Sequence, residues 1–262
     1  MKKVIAALDN SLAAGPVMAT AVALARLLDA EVDALHVRVD GEEVALGAAE
    51  AVGLPLGEAT GSPIEELIAA TSPDDVVALV LGARGRPLGA RPLGATALAV
   101  ATSVVKPVVV VPPDAVRPGV LQRVLVPLEG TVSTSLAPRS VVDLACSANL
   151  DVVALHVHDE ADLPAFSDQP QHEADAWARE FLARWCPQGL DRAEFEVRVG
   201  RAEELVPLVA EQVEADLIAL GWAQELAEGR APVVRAALTR ARVPVMLLPA
   251  LVREPAHAGS FH

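Results

Sequence analysis

The residues best equipped for chemistry lie in one stretch, Gly82-Ala83-Arg84-Gly85-Arg86-Pro87-Leu88-Gly89-Ala90-Arg91-Pro92-Leu93-Gly94-Ala95-Thr96, which holds four glycines, three arginines and no acid. Glycine lets the main chain approach a phosphate closely. A helical pattern opens at Ala95, and a helix N-terminus offers unpaired N–H groups and the positive end of a dipole. The guanidinium groups of Arg84, Arg86 and Arg91 add charge in the forked geometry that suits phosphate. The rest of the chain is acidic, with 35 Asp and Glu against 21 Lys and Arg and a formal net charge of −14. That balance argues against a general binder of nucleic acid or acidic membranes, so an anionic ligand depends on this local cationic spot. On these residues alone a plainer alternative stays open, in which the arginines are simply solvated above a glycine turn.

Other candidates are weaker. Asp9-Asn10-Ser11 closes an apolar run, where an Asp either meets a ligand or holds the following turn. His36 and His156 recur inside two copies of Ala-Leu-His-Val, at 34–37 and 154–157. No second ligand accompanies either at useful spacing, so both read as polar fillers at a sheet edge rather than metal ligands. Cys146 and Cys186 sit in helical patterns with no CxxC, which indicates neither a disulfide framework nor a zinc site. The chain has no Walker sequence, no dinucleotide fingerprint and no nucleophile elbow, so a binding role is expected, with slow hydrolysis of a bound phosphate compound left open. The run 4–8 is too short for a signal-peptide core and no apolar run nears about 20 residues, so the expected location is cytoplasmic, away from membranes.

The elements that must position these residues are written twice. The chain has 262 residues, 52% hydrophobic but only 3% aromatic, so its core is aliphatic. Val4-Ile5-Ala6-Ala7-Leu8-Asp9 is answered 120 positions later by Val124-Leu125-Val126-Pro127-Leu128-Glu129, and the Ala-Leu-His-Val copies share that offset. Val80-Leu81-Gly82 is answered by Ala219-Leu220-Gly221 at 139, and 106–112 by 243–249 at 137. Extra sequence therefore lies in the second half between its second strand and the glycine.

Short apolar runs alternate with helical segments in both halves, the pattern of two doubly wound α/β domains with parallel sheets. The spacing predicts strands over 3–8, 31–37, 54–59, 76–81 and 108–111, then 124–128, 152–157, 194–199, 217–220 and 245–248. Helices are expected over 16–28, 63–70 and 95–104. Residues 173–186 read as a helix that the first half lacks, with Trp177, Phe181 and Trp185 four apart on one face, better suited to packing on the sheet than to a partner. The division is a first domain over 1–113, a linker over 114–120, a second domain over 121–250 and a mobile tail over 251–262. In such sheets ligands lie beyond the carboxyl ends of the strands where strand order reverses, which selects the turns after the first and fourth strands.

The Leu8-Asp9-Asn10-Ser11 strand end, the Leu-His-Val strand, the Leu81-Gly82-Ala83-Arg84-Gly85 turn, the glycine-led helix and the closing Lys106-Pro107-Val108-Val109-Val110-Val111-Pro112 together resemble a universal stress protein domain. Both halves keep that order. The resemblance implies two tandem flavodoxin-like domains of strand order 3-2-1-4-5 and, in many members, ATP held by a Gly-x2-Gly-x9-Gly-Ser/Thr motif. Gly82 and Gly85 match its first two glycines. Its end falls on Ala95-Thr96 in one register and on Gly94-Ala95 in another. Asp9 matches the family acid near the ribose, and Val37 lies on the strand that borders the adenine. With Asn10, Ser11, Ala83, Arg84 and Arg86 these complete the candidate site for ATP or a related adenine nucleotide, with Mg2+ as counterion.

The second half departs from that pattern. Glu129 replaces the acid, Gln224 stands where Gly85 is, Glu225 and Glu228 add negative charge, and Ala231-Pro232 opens the helix with one N–H missing. It is expected to be unfit for a triphosphate. The resulting expectation is a regulatory module with one nucleotide site. The alternative is a structural or interaction protein that binds no nucleotide, whose tandem halves form an intramolecular pseudo-dimer; association into a homodimer is compatible with either.

Overall fold

The computed structural model describes residues 1–38, 43–83, 93–128, 150–158, 193–226 and 230–249. The first half runs β1 (Lys2–Leu8), α1 (Ala14–Leu28), β2 (Ala30–Val37), α2 (Glu43–Glu50), β3 (Leu56–Ala59), α3 (Pro63–Thr71), β4 (Val76–Gly82), α4 (Ala95–Ser103) and β5 (Val108–Val111). The second comprises β6 (Arg123–Leu128), β7 (Asp151–His158), β8 (Ala193–Val199), α5 (Ala202–Gln212), β9 (Leu217–Trp222), α6 (Pro232–Arg240) and β10 (Val245–Pro249). The ten strands expected from the apolar runs are all present.

They form one ten-stranded sheet in the order β3-β2-β1-β4-β5-β10-β9-β6-β7-β8. Each half is therefore wound 3-2-1-4-5, the flavodoxin-like order. Pairing is parallel within each half, and the halves meet where β10 runs antiparallel to β5, with Val245 opposite Val110 and Leu247 opposite Val108. Successive side chains of a strand face opposite sides. Val4, Ala6 and Leu8 thus pack with Val17, Met18 and Leu24 of α1, while Ile5, Leu79 and Leu81 pack on the face covered by α3 and α4. Both apolar layers continue through β5 and β10 into the second half.

Helix α2 corrects the sequence reading. A helix does stand between β2 and β3, so residues 173–186, which lie outside the described residues, are not matched against an empty place in the first half. It was hard to see because its eight residues bury only Ala45 and Ala49, too small to mark a stripe. The two histidines are also not at a sheet edge, since β2 and β7 each have neighbours on both sides.

The two halves differ at the centre. β1 pairs with β4 as far as Ala7 opposite Leu81, whereas the β6–β9 ladder stops at Leu125 opposite Ile218. Pro127 has no N–H with which to extend it.

The segment joining the halves is anchored. Asp216 is 3% exposed. Its Oδ2 accepts the main-chain N–H of Gln122 at 2.9 Å and of Arg123 at 3.1 Å, and the Arg117 guanidinium lies 3.5 Å from Oδ1. Asp216→Ala removes two part-buried hydrogen bonds to a carboxylate, each contributing about 1.5–3 kcal/mol at most, whereas the half-exposed Arg117 contributes under about 1 kcal/mol. Urea unfolding should show Asp216→Ala lowering stability by about 2–4 kcal/mol, with Arg117→Ala a small fraction of that.

Candidate functional site

The first crevice is built from the ends of β1, β2 and β4 and the start of α4. Asp9 Oδ1 accepts the Ser11 hydroxyl at 2.5 Å and the Ser11 N–H at 3.2 Å, and Ser11 Oγ accepts the Ala13 N–H at 3.2 Å. This is a side-chain-closed turn leading into α1, so part of Asp9 and all of the Ser11 hydroxyl serve the fold. Asp9 remains half-buried, and its Oδ2 takes no hydrogen bond among the described residues. Asn10 also serves the fold, since its Oδ1 accepts the Val44 N–H at 2.7 Å and caps the start of α2.

Val37 ends β2 and is buried. Next to it, His36 Nδ1 lies 2.9 Å from the Leu8 carbonyl oxygen. A carbonyl only accepts, so Nδ1 carries the proton in that bond. The buried Nε2 has no hydrogen-bond partner among the described residues.

The glycine-rich loop is tied at its base. The Ala83 N–H donates to Val111 O and the Gly94 N–H to Ala83 O, both at 2.8 Å, which brings the two ends of the loop together. Residues 84–92, with Arg84, Gly85, Arg86 and Arg91, lie outside the described residues. At the far end Gly94 is the N-cap of α4, with no side-chain cap and no acid in the first turn. The first helical bond runs from the Leu98 N–H to Gly94 O, so the N–H groups of Ala95, Thr96 and Ala97 precede the ladder. Both registers of the family motif place their hydroxyl position in this turn, with Ala95 exposed and Thr96 half-buried.

The corresponding turn of the second half is closed. By the 139-residue offset, Trp222 stands where Ala83 is and Gln224 where Gly85 is. The Trp222 indole is 3% exposed and fills the interior. Ala231, the N-cap of α6, has φ 45°, and Pro232 follows it. The Arg235 guanidinium folds back onto the carbonyl oxygens of Leu226 and Arg230. Two of its donors are thereby turned onto the carbonyls of the turn itself.

Gln224 has an unforeseen place. Its backbone is left-handed, with φ 57°, and its Nε2 donates to Val104 O at 2.8 Å, with Ala101 O and Thr102 O each at 3.4 Å. Those carbonyls close the C-terminus of α4, in the other half. A helix end leaves carbonyl oxygens unpaired and partly negative, and an amide N–H satisfies them. The side chain that removes the second motif glycine is thus a clamp between the halves.

The family model for the universal stress protein family matches residues 121–249. The second half is a universal stress protein domain. The whole chain shares its fold with a universal stress protein from Archaeoglobus fulgidus DSM 4304, at 15% identity and a TM-score of 0.70, over 96% of this chain and 97% of that one. A functionally unknown protein from Pseudomonas aeruginosa PAO1 aligns over 95% of this chain and 93% of its own, at 13% identity and a TM-score of 0.68. A universal stress protein in complex with cAMP matches 50% of this chain and 98% of its own, at 23% identity and a TM-score of 0.39. No curated protein matches the chain.

The universal stress protein domain at 121–249 and the half that precedes it share one strand order and differ in the turn after the fourth strand. Spacing alone does not reveal the clamp, because Val104 lies 120 residues from Gln224. For a residue other than glycine, a left-handed backbone costs about 1–2 kcal/mol. Gln224→Ala keeps that cost and loses the clamp, whereas Gln224→Gly loses the clamp but relieves the strain. Thermal or urea unfolding should therefore rank wild type above Gln224→Gly and Gln224→Gly above Gln224→Ala, with about 1 kcal/mol between the two variants.

Proposed function

We propose that this universal stress protein is a regulatory module that binds one adenine nucleotide per chain, ATP or a close relative, in the crevice of its first half. The observation that carries the reading is the start of α4, where Gly94 leads into three N–H groups that precede the helical ladder, against the start of α6, equally without a side-chain cap or an acid, where a left-handed Ala231 leads into Pro232 and one of those N–H groups is missing.

The donor set of the first half fits a phosphate. The N–H groups of Ala95, Thr96 and Ala97 hold its oxygens, in the way helix N-termini hold anions. Arg84, Arg86 and Arg91 add the charge that a chain at −14 otherwise lacks. Asp9 Oδ2 accepts from a ribose hydroxyl, and Val37 bounds the base. Mg2+, bound with the nucleotide, supplies charge neutralisation at the phosphates. Binding rather than turnover is the proposed activity.

The same geometry supports a regulatory output. Helix α4 starts at the loop and ends on Gln224 of the other half, so a ligand gripping its first turn acts on a helix held at both ends. Such a ligand shifts a conformational or partner equilibrium only as far as it binds the two states differently.

Gly94→Asp separates phosphate binding from folding. Gly94 has φ −62° and ψ 157°, which Asp adopts readily, and Asp is a favoured N-cap. The variant should keep or slightly raise the unfolding midpoint while weakening ATP binding at least tenfold, because the new carboxylate repels the phosphates. Equilibrium dialysis of the full chain with labelled ATP should find one site, weakening as salt rises. Two sites, or equal affinity in a folded Gly94→Asp variant, would overturn the assignment. No binding at millimolar ATP would favour a purely structural tandem, the reading that the continuous β5–β10 sheet supports.

A further inference from the structure

Among the described residues the crevice of the second half is altered rather than filled. A cleft of about 180 Å3 lies between the ends of β6, β7 and β9 and the helices α5 and α6. Its walls are mainly aliphatic, among them Leu128, Leu155, Val157, Val206, Leu220 and Val234. It lies where the β6–β9 ladder stops early beside Pro127, at the point where strand order reverses. By the 120-residue offset, Leu128, Leu155 and Val157 correspond to Leu8, Leu35 and Val37.

We infer that this cleft is a binding site for a neutral, largely apolar molecule of one or two rings. Three observations select that chemistry. Size is the first: an apolar cavity of about 150 Å3 accepts a benzene ring, and 180 Å3 allows little more. Lining is the second. Its one ionisable side chain among the described residues, His156, sends Nδ1 to Leu128 O at 3.2 Å, and the aliphatic remainder rewards apolar area at about 25 cal/mol per Å2.

Charge is the third. The exposed Glu225, and Glu228 in sequence, bring negative charge to the turn after β9. The Arg235 guanidinium is engaged by carbonyls of that turn, and Trp222 occupies the interior where the first half has Ala83. Among the described residues the cleft wall carries no lysine or arginine to pair with a phosphate or carboxylate. The inference does not depend on nucleotide binding in the first half.

Indole serves as the probe, titrated into the full chain by calorimetry and by ligand-observed NMR. One saturable indole site per chain is expected, with indole-3-acetate at least tenfold weaker because of its carboxylate. Val157 is half-buried at the cleft, so Val157→Phe should fill it with little harm to folding and weaken indole at least tenfold. Val234→Leu, a smaller addition at the opposite wall, should weaken indole less, and urea unfolding checks that both variants are folded. Gly94→Asp should leave indole affinity unchanged whether or not ATP binds the chain. Lack of saturable indole binding, equal affinity in folded Val157→Phe, indole-3-acetate binding as tightly as indole, or displacement of indole by equimolar ATP would each overturn the inference.

Discussion

The junction between β5 and β10 is the constraint from which the rest of the arrangement follows. β5 is four consecutive valines, Val108–Val111, each 1% exposed or less. In an isolated half this strand would be the last of its sheet, and an apolar edge with unpaired N–H and C=O groups invites uncontrolled pairing. Antiparallel β10 satisfies that edge and extends both apolar layers past it. The outer ends of the joined sheet are β3 and β8, and β3 has only four residues, with Glu58 exposed among them. The sticky edges are thus paired inside the molecule and a short, charged strand faces outward on one side.

That junction also gives the turn after β9 its new use. It brings the C-terminus of α4 within reach of Gln224, which accepts a left-handed backbone to donate into those carbonyls. In the first half the equivalent turn belongs to a glycine- and arginine-rich loop whose base is tied by Ala83 and Gly94. The two turns hold equivalent places in the repeat, but one is rich in glycine and arginine in sequence and the other caps a helix end of the opposite half.

What the sequence discloses follows the range of the forces involved. The central strands are legible because a strand buried on both faces needs a short apolar run and little else can supply one, and the edge strands β3 and β8 are placed by the order of the repeat. Strand order came from the resemblance, and both halves show it. Helix α2 escaped because two alanines leave almost no periodic trace. At the crevice, the spacing of Asp9, Asn10 and Ser11 announced a turn but not its division of labour, in which Asn10 holds α2 and Ser11 closes on Asp9. Gln224 and Asp216 were illegible in their roles, since their partners are main-chain groups some 90 to 120 residues away. Main-chain groups have no sequence signature.

Covalent connection frees the two halves from symmetry. In a homodimer built on the same edge pairing, every substitution is made twice, and a residue suited to one subunit must be tolerated in the other. Gln at the position of Gly85 would then clamp both helices and block both loops at once. In a single chain the exchange is made once: Gln224 holds the helix of its neighbour, while the corresponding position in the first half remains a glycine in sequence. Duplication thereby lets selection act on the two crevices separately, one residue at a time.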